Sequence, residues 1–455
     1  MERTLDKKIF RSYDIRGEYP TQLNENEAYK IGRALATIFR GNDNNTCVVG
    51  RDNRLSGEAL TNNLIKGITD GGVNVKYIGL VTTPMLYFAS LYLKIESAVM
   101  VTASHNPVND NGFKISFKDY NNACGEDITK IYDTIINNKF TTGSGIVEQI
   151  SIHKAYFDLV LSDVRIKRRL KVVFDPANGV AATIIKDICD NIGVDAIYIN
   201  DYSDGSFPSH HPDPSEEENM IQLGDKVREV HADCGIGYDG DADRLGVVDE
   251  NGKMISIDTL MAIIIDDLIN KVEDKTFLFD VKCSKQLEDE IIRVGGTPYM
   301  YRTGASYTKN KTKELDLAFG GELSGHVFFR DRWTGIDDGI YNGIRFLEIL
   351  SNSEKKASEL SSHMNKYYST PEIRVRVLEE NKTEVVEEVK KYALDHGYQI
   401  NVIDGVKISY PDGWALVRAS NTGPNLTLRF EAKSKSRLDD IKSEYLDIVN
   451  KYKVE

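Results

Sequence analysis

The sequence predicts an α/β protein made of three similar α/β domains with mixed sheets, followed by a C-terminal α+β domain. Three observations carry that expectation. Short apolar runs alternate with longer helical patterns in three successive rounds between residues 46 and 320, the alternation that gives layered α/β sheets. Most of these runs break abruptly into a polar loop. Beyond about residue 371 the texture changes to short strand-like runs joined by Asp-Gly turns. At 455 residues the chain exceeds one compact core, and about 100–200 residues per domain gives three or four domains.

In the first round, 46–50, 73–80 and 97–101 read as strands, and 57–71 and 84–93 as helices. A linker rich in Gly, Thr and Ser at 141–145 separates it from the second. There, a strand at 170–174 meets Asp175-Pro176-Ala177-Asn178-Gly179, a helix runs to about 191, and strands follow at 194–199 and 234–237. The third holds helices at 258–271 and 284–294 and strands at 276–279, 297–301 and 316–320. No convincing sequence repeat accompanies this repeated architecture. The last part reads as strand 373–377, helix 382–396, strands 406–408, 414–417 and 426–430, and helix 435–452. The expected domain limits are 1–150, 151–253, 254–369 and 370–455.

Lys and Arg number 57 against 70 Asp and Glu, a formal charge of −13. That field argues against nonspecific nucleic-acid binding and against an anionic membrane surface, so an anionic substrate must be met by a local basic cluster. The five cysteines are dispersed and show no CxxC, a pattern of reduced thiols in a cytoplasmic protein. Residues 1–8 carry both charge signs and no apolar core, unlike a signal peptide. No stretch approaches about 18 apolar residues, so no membrane span is expected.

Four strand ends carry candidate chemistry. The run 97–101 enters Thr102-Ala103-Ser104-His105-Asn106-Pro107, and a serine held out on a rigid loop beside a cation is a candidate nucleophile. An Asn-Pro turn is the plain alternative. Next, Asp239-Gly240-Asp241-Ala242-Asp243-Arg244 offers three carboxylates at alternate positions, the hard oxygen ligands that Mg²⁺ prefers. Two rivals are a solvated acidic turn and an EF-hand calcium loop ending at Glu250, but Arg244 stands where that loop needs glycine. Third, Gly321-Glu322-Leu323-Ser324-Gly325-His326 presents hydroxyl-binding and proton-transfer groups at alternate positions. Fourth, Arg418-Ala419-Ser420-Asn421-Thr422, with Arg429 beyond, suits a phosphate, since a guanidinium fork matches its oxygens. Capping and turn roles are the plain reading of both later loops. Gly235-Ile236-Gly237 does not extend to a dinucleotide fingerprint, and His210-His211 reads as bracing a proline-rich loop.

Together and in this order, the four loops resemble those of the α-D-phosphohexomutases. Phe10-Arg11-Ser12-Tyr13-Asp14-Ile15-Arg16-Gly17, Asp280-Val281-Lys282-Cys283-Ser284 and Asp404-Gly405-Val406 are similar to motifs of the phosphomannomutase/phosphoglucomutase branch. The resemblance spans nearly the whole chain. It implies a four-domain, heart-shaped protein around a central cleft, whose monomers act alone or as a small homo-oligomer on hexose phosphates. Ser104 would carry the phosphoryl group, with Asp239, Asp241 and Asp243 binding one Mg²⁺ together with that phosphate. Lys114 and Arg244 would lie beside the phosphoserine, and Arg16 and His326 would belong to the catalytic set. Glu322, Ser324 and His326 would grip sugar hydroxyls, joined in substrate binding by Tyr13, His105, Lys282 and Arg302. Arg418, Ser420, Asn421, Thr422 and Arg429 would hold the substrate's own phosphate. The implied reaction exchanges the 1- and 6-phosphates of mannose or glucose through a 1,6-bisphosphate, which also serves as activator. His105 would be a supporting loop residue.

One departure is Ala305, in Arg302-Thr303-Gly304-Ala305-Ser306, where many bifunctional members carry histidine. Leu323 resembles the glucose and mannose enzymes, since the phosphoglucosamine mutase branch usually has glutamine there. A phosphoglucosamine mutase and a non-catalytic sugar-phosphate binder are the alternatives.

Overall fold

The computed structural model describes residues 5–420 and 425–454. The described strands form four sheets. In the first, Thr46–Arg51 lies parallel to both Asn74–Leu80 and Ser97–Val101, and Ser97–Val101 pairs antiparallel with Asp110–Lys118. In the second, Lys171–Asp175 lies parallel to Cys234–Tyr238, which pairs antiparallel with Leu245–Asp249. In the third, Thr276–Asp280 lies parallel to Phe319–Gly321, which pairs antiparallel with Val327–Phe329. The fourth sheet is antiparallel throughout, with Gly413–Ala419 beside Asn425–Ala432 at its centre. Each of the four candidate loops is therefore the connection between two antiparallel neighbours. The first three sheets are mixed, as expected, because the strand after each loop returns directly.

Strands buried on both faces, such as Ser97–Val101 and Cys234–Tyr238, are the continuous apolar runs legible in the sequence. Helix Thr83–Leu93 begins where the hydroxyl of Thr82 accepts from the Met85 N–H, with Pro84 in its first turn. The long helix expected after Gly179 is instead a 3₁₀ turn, Val180–Thr183, and a short helix, Ile185–Cys189. Ile184, at φ −137° and ψ −18°, breaks the spiral between them. Helix Gly339–Ser351 is not among the expected elements; it is buried almost all round although Asn342, Arg345 and Glu348 recur on one side of it.

One face of the first sheet packs on helices Glu25–Gly41 and Gly57–Asp70. Its other face contributes Val48 and Met100, with Met85 of helix Thr83–Leu93, to a core shared with the second and third sheets, through Phe174, Ile236, Phe279 and Phe319. The fourth sheet has its own core, around Val406, Leu428 and Tyr445. Its apolar link to the third sheet is the small cluster of Val281, Trp414 and Leu416. The antiparallel arrangement and separate core match the expected α+β domain. No described helix is long and apolar enough to cross a membrane, and the five cysteines are all unpaired.

Candidate active site

Ser104 follows the strand Ser97–Val101 directly, in a left-handed conformation at φ +52°, which costs a non-glycine residue about 1–2 kcal/mol. Several bonds hold it there. The Ser104 N–H donates to Thr102 Oγ1 at 2.8 Å, and Arg54 Nη2 donates to the Ser104 carbonyl at 2.7 Å. Arg54, itself buried, also donates to the carbonyls of Asn106, Pro107 and Asp110. Arg16 fastens the same loop from the other side, donating to Ala103 O at 2.9 Å and Asn106 Oδ1 at 2.7 Å while paired with Asp14. Four carbonyls gathered by one guanidinium make a rigid loop out of a segment with no regular structure.

The loop from the second sheet meets it face to face. Ser104 Oγ donates to Asp239 Oδ2 at 2.5 Å. A Cβ on Gly240 would lie 2.6 Å from the Ser104 carbonyl oxygen, so glycine permits the approach. Lys114, on Asp110–Lys118, donates to Asp241 Oδ2 at 2.7 Å and to Asp243 Oδ2. Thr83 Oγ1 donates to Asp241 Oδ2 at 2.5 Å. Ser104 and the three aspartates are each at most 1 % exposed.

Burial and the charges of Asp241 and Asp243 push the Asp239 carboxyl well above its ordinary range. Asp243 is raised by burial and by Asp241. At Asp241 burial is outweighed, chiefly by Lys114, and the carboxyl is held below its usual range. Lys114 in turn stays charged against burial through Asp241 and Asp243. One lysine thus serves three mutually repelling carboxylates, each able to place an oxygen within 4.8 Å of the others'. Asp241 Oδ1 and Asp243 Oδ1 are buried without any hydrogen-bond donor. Orphaned hard oxygens on neighbouring carboxylates fit a small divalent cation. The flanking elements are strands, and Glu250 accepts from Ser358 instead of facing the loop, so the EF-hand reading fails.

The third loop enters from Phe319–Gly321. Glu322 Oε1 accepts from Gly304 N at 2.7 Å and Thr308 Oγ1 at 2.5 Å, while Glu322 Oε2 accepts from Ser324 Oγ at 3.2 Å. Gly325 turns the chain at φ +96°. His326 is buried, with Arg244 Nε donating to its Nε2 at 3.0 Å and Asp337 Oδ2 3.0 Å from its Nδ1. The second and third loops are therefore joined side chain to side chain.

The same four sheets recur in four family profiles. These are phosphoglucomutase/phosphomannomutase alpha/beta/alpha domain I over residues 7–142, domain II over 154–252, domain III over 256–367, and the C-terminal domain over 372–448. The chain belongs to the phosphoglucomutase/phosphomannomutase family. A phosphomannomutase/phosphoglucomutase of Pseudomonas aeruginosa is 42% identical over 442 residues, covering 97% of this chain and 95% of that protein. A phosphoglucomutase of Neisseria gonorrhoeae is 37% identical over 450 residues, 98% of this chain and 97% of that one. The crystal structure of a phosphoglucomutase/phosphomannomutase family protein from Burkholderia thailandensis superposes with a TM-score of 0.92 at 35% identity, covering 99% and 98% of the two chains.

On this family frame most sequence-nominated residues converge. Tyr13 packs edge-on against Tyr307, 6.0 Å between centroids, and Arg302 lies over the Tyr307 ring at 4.1 Å. Arg302 Nε and Arg418 Nη2 are buried without an acceptor, while Arg418 Nε donates to Asp404 at 3.0 Å. Lys282 pairs with Glu372 at 2.5 Å, and Arg429 donates to the Lys282 carbonyl. His105 Nδ1 lies 3.3 Å from Ser104 Oγ, and burial followed by the charges of Arg244 and Arg16 depresses its pKa well below the ordinary value. Ser420 N donates to the Asn425 carbonyl, and the Ser420 carbonyl accepts from Lys382 Nζ at 3.0 Å; Asn421 and Thr422 lie outside the described residues. Ala305 opens helix Ala305–Glu314. His210 braces its loop through Asp175 at 2.9 Å, as the sequence suggests. Sequence reasoning missed Arg54 and Asp337. The cluster Arg51-Asp52-Asn53-Arg54 at the end of a strand was the available signal for the first.

Proposed function

We propose that this protein exchanges the 1- and 6-phosphates of mannose and/or glucose through phosphorylated Ser104 and a 1,6-bisphosphate. The observation that carries the reading is Ser104 Oγ, held at 2.5 Å from Asp239 on a loop fixed by two arginines. A substrate hydroxyl oxygen bonds to phosphorus as the Ser104 Oγ–P bond breaks. The hydroxyl gives up one proton and Oγ gains one, leaving a free serine hydroxyl that donates a hydrogen bond to Asp239 Oδ2. Return of the phosphate from the other position restores phosphoserine. Such transfers need mainly in-line positioning and neutralised oxygens. Arg244, Lys114 and Arg16 surround the serine as positive partners. Asp239, Asp241 and Asp243 would hold Mg²⁺ there, and the bound ion would supply charge neutralisation at the phosphate oxygens.

At the far end Arg302, Arg418, Ser420, Asn421, Thr422 and Arg429 would take the substrate's own phosphate, with Lys282 and Tyr13 alongside. Glu322 and Ser324 would meet the sugar hydroxyls. Leu323 packs on the shared core, and this apolar residue favours neutral sugars over an aminosugar. The domain limits at 150, 253 and 369 fit these roles, one loop to each domain. The separate core of the C-terminal part suits a domain that closes over the substrate and excludes water. A cytoplasmic setting fits the five unpaired cysteines.

The test combines intact mass and turnover. A fraction of the purified protein heavier by one phosphate, discharged by glucose 1-phosphate or mannose 1-phosphate, with 6-phosphate as product, supports the reading. Free phosphate as the main product would overturn it in favour of a phosphatase.

A further inference from the structure

We propose that Asp337 and His326 form a positioning relay that aims Arg244 at the phosphoryl group on Ser104, His326 acting on the arginine and not on the sugar. The proposal rests on the phosphomutase reading of the Ser104 site. An arginine Nε–H can only donate. Its bond to His326 Nε2 at 3.0 Å therefore requires that nitrogen to be unprotonated. The ring proton must then sit on Nδ1, which faces Asp337 Oδ2 at 3.0 Å and Asp243 Oδ1 at 3.6 Å. Both ring nitrogens of His326 are thus occupied inside the protein, and the residue is only 4% exposed.

The consequence falls on Arg244. Its Nε also lies 4.0 Å from Asp239 Oδ2, the oxygen that accepts from Ser104 Oγ. Its terminal Nη1 reaches no closer than 4.0 Å to Asp213 Oδ1, too far for a hydrogen bond. With Nε tied down, the two-pronged end of the guanidinium remains for a ligand beside Ser104. An arginine side chain gives up rotamer freedom when it binds, and prior orientation spares part of that loss on phosphate binding.

Asp337 is anchored by its own surroundings. The next residue, Asp338, caps helix Gly339–Ser351 by accepting from the Tyr341 N–H at 3.0 Å, and Gly339 N donates to Ala242 O at 3.0 Å. The relay thus starts from the point where a buried helix meets the aspartate loop.

The first test needs no variant. In full-length ¹⁵N-histidine-labelled protein with magnesium added, the His326 signal, assigned by its loss in His326→Gln, should show protonated Nδ1 and unprotonated Nε2. An imidazolium or the opposite tautomer overturns the relay, whether or not the protein turns over hexose phosphates. The second test is a double-mutant cycle on the mutase reaction. Asp337→Leu and Arg244→Ala should each lower kcat about 10–100-fold, the scale for outer-shell partners, with KM little changed. The double variant should be no slower than Arg244→Ala alone. Additive losses would show that Asp337 acts elsewhere and overturn the proposal. Absence of mutase activity in the unmutated protein would overturn the functional reading and leave the tautomer result to decide the relay.

Discussion

The two ends of the cleft are built from opposite imbalances. Around Ser104, Asp241 Oδ1 and Asp243 Oδ1 are buried without a hydrogen-bond donor. Toward the fourth sheet, Arg302 Nε and Arg418 Nη2 are buried without a hydrogen-bond acceptor. A buried polar atom left unpaired costs about 1–3 kcal/mol, so such atoms in pairs at a cleft mark where a ligand completes the structure. Spare acceptors suit a cation; spare donors suit an anion. The supports differ too. The loops at the serine end rise from sheets that share one core. The arginine end joins the third sheet through a small apolar cluster and polar bonds, such as Lys407 to Val281 O at 2.8 Å. Rigidity thus accompanies the reacting atoms, and a lighter attachment accompanies the part that grips the substrate.

The largest way to break this contrast is Ser104→Ala. It should lower conversion of mannose or glucose 1-phosphate by about 10⁴-fold or more, the scale for loss of a nucleophile. Turnover within tenfold of the unmutated protein would remove the serine end from the chemistry. Next, Asp241→Asn should raise the magnesium concentration needed for half-maximal activity by about 10–100-fold or more. An unchanged magnesium requirement would mean that the spare acceptors serve no cation. At the other end, Arg418→Ala should raise KM by about 10–100-fold, since a bond to a charged group contributes about 1.5–3 kcal/mol. A loss confined to kcat would contradict a binding role.

The smallest expected effect concerns how the two ends are joined. Burial opposes ionisation of Glu372, but Lys282 outweighs it and depresses the carboxyl to about 2. An unfolded glutamate titrates at about 4.3. A carboxyl depressed in the folded state stabilises fully above the unfolded value and loses that contribution as pH falls towards 2. Thermal melts should therefore separate Glu372→Gln from the unmutated protein at pH 6, with the gap narrowing between pH 4.5 and 2. A gap independent of pH would assign the effect to packing and not to the ion pair.

What the sequence by itself determined is the local chemistry. The four loops, the strand that leads into each, and helices such as Gly57–Asp70 and Lys435–Val449 follow from residue type and short-range period. So does the identity of Ser104, the three aspartates, Glu322 and Arg418 as candidates. The return strands Asp110–Lys118, Leu245–Asp249 and Val327–Phe329 and the helix Glu25–Gly41 were not anticipated. Helix Gly339–Ser351 was not anticipated either, although Asn342, Arg345 and Glu348 recur at intervals of three along it. The helix after Gly179 was overextended because one backbone conformation at Ile184 interrupts it.

Only the tertiary structure decided which side chains meet. Ser104 and Asp239 stand 135 positions apart, and Arg244 and His326 stand 82 apart. Arg54 reaches carbonyls about fifty positions away. Such pairings depend on sheet order and on the return of each strand beside the last, which bring the first three strand-end loops together. Residue spacing specifies which atoms a loop can offer. The packing of three sheets on one core specifies where those atoms are held, and hence that His326 touches an arginine.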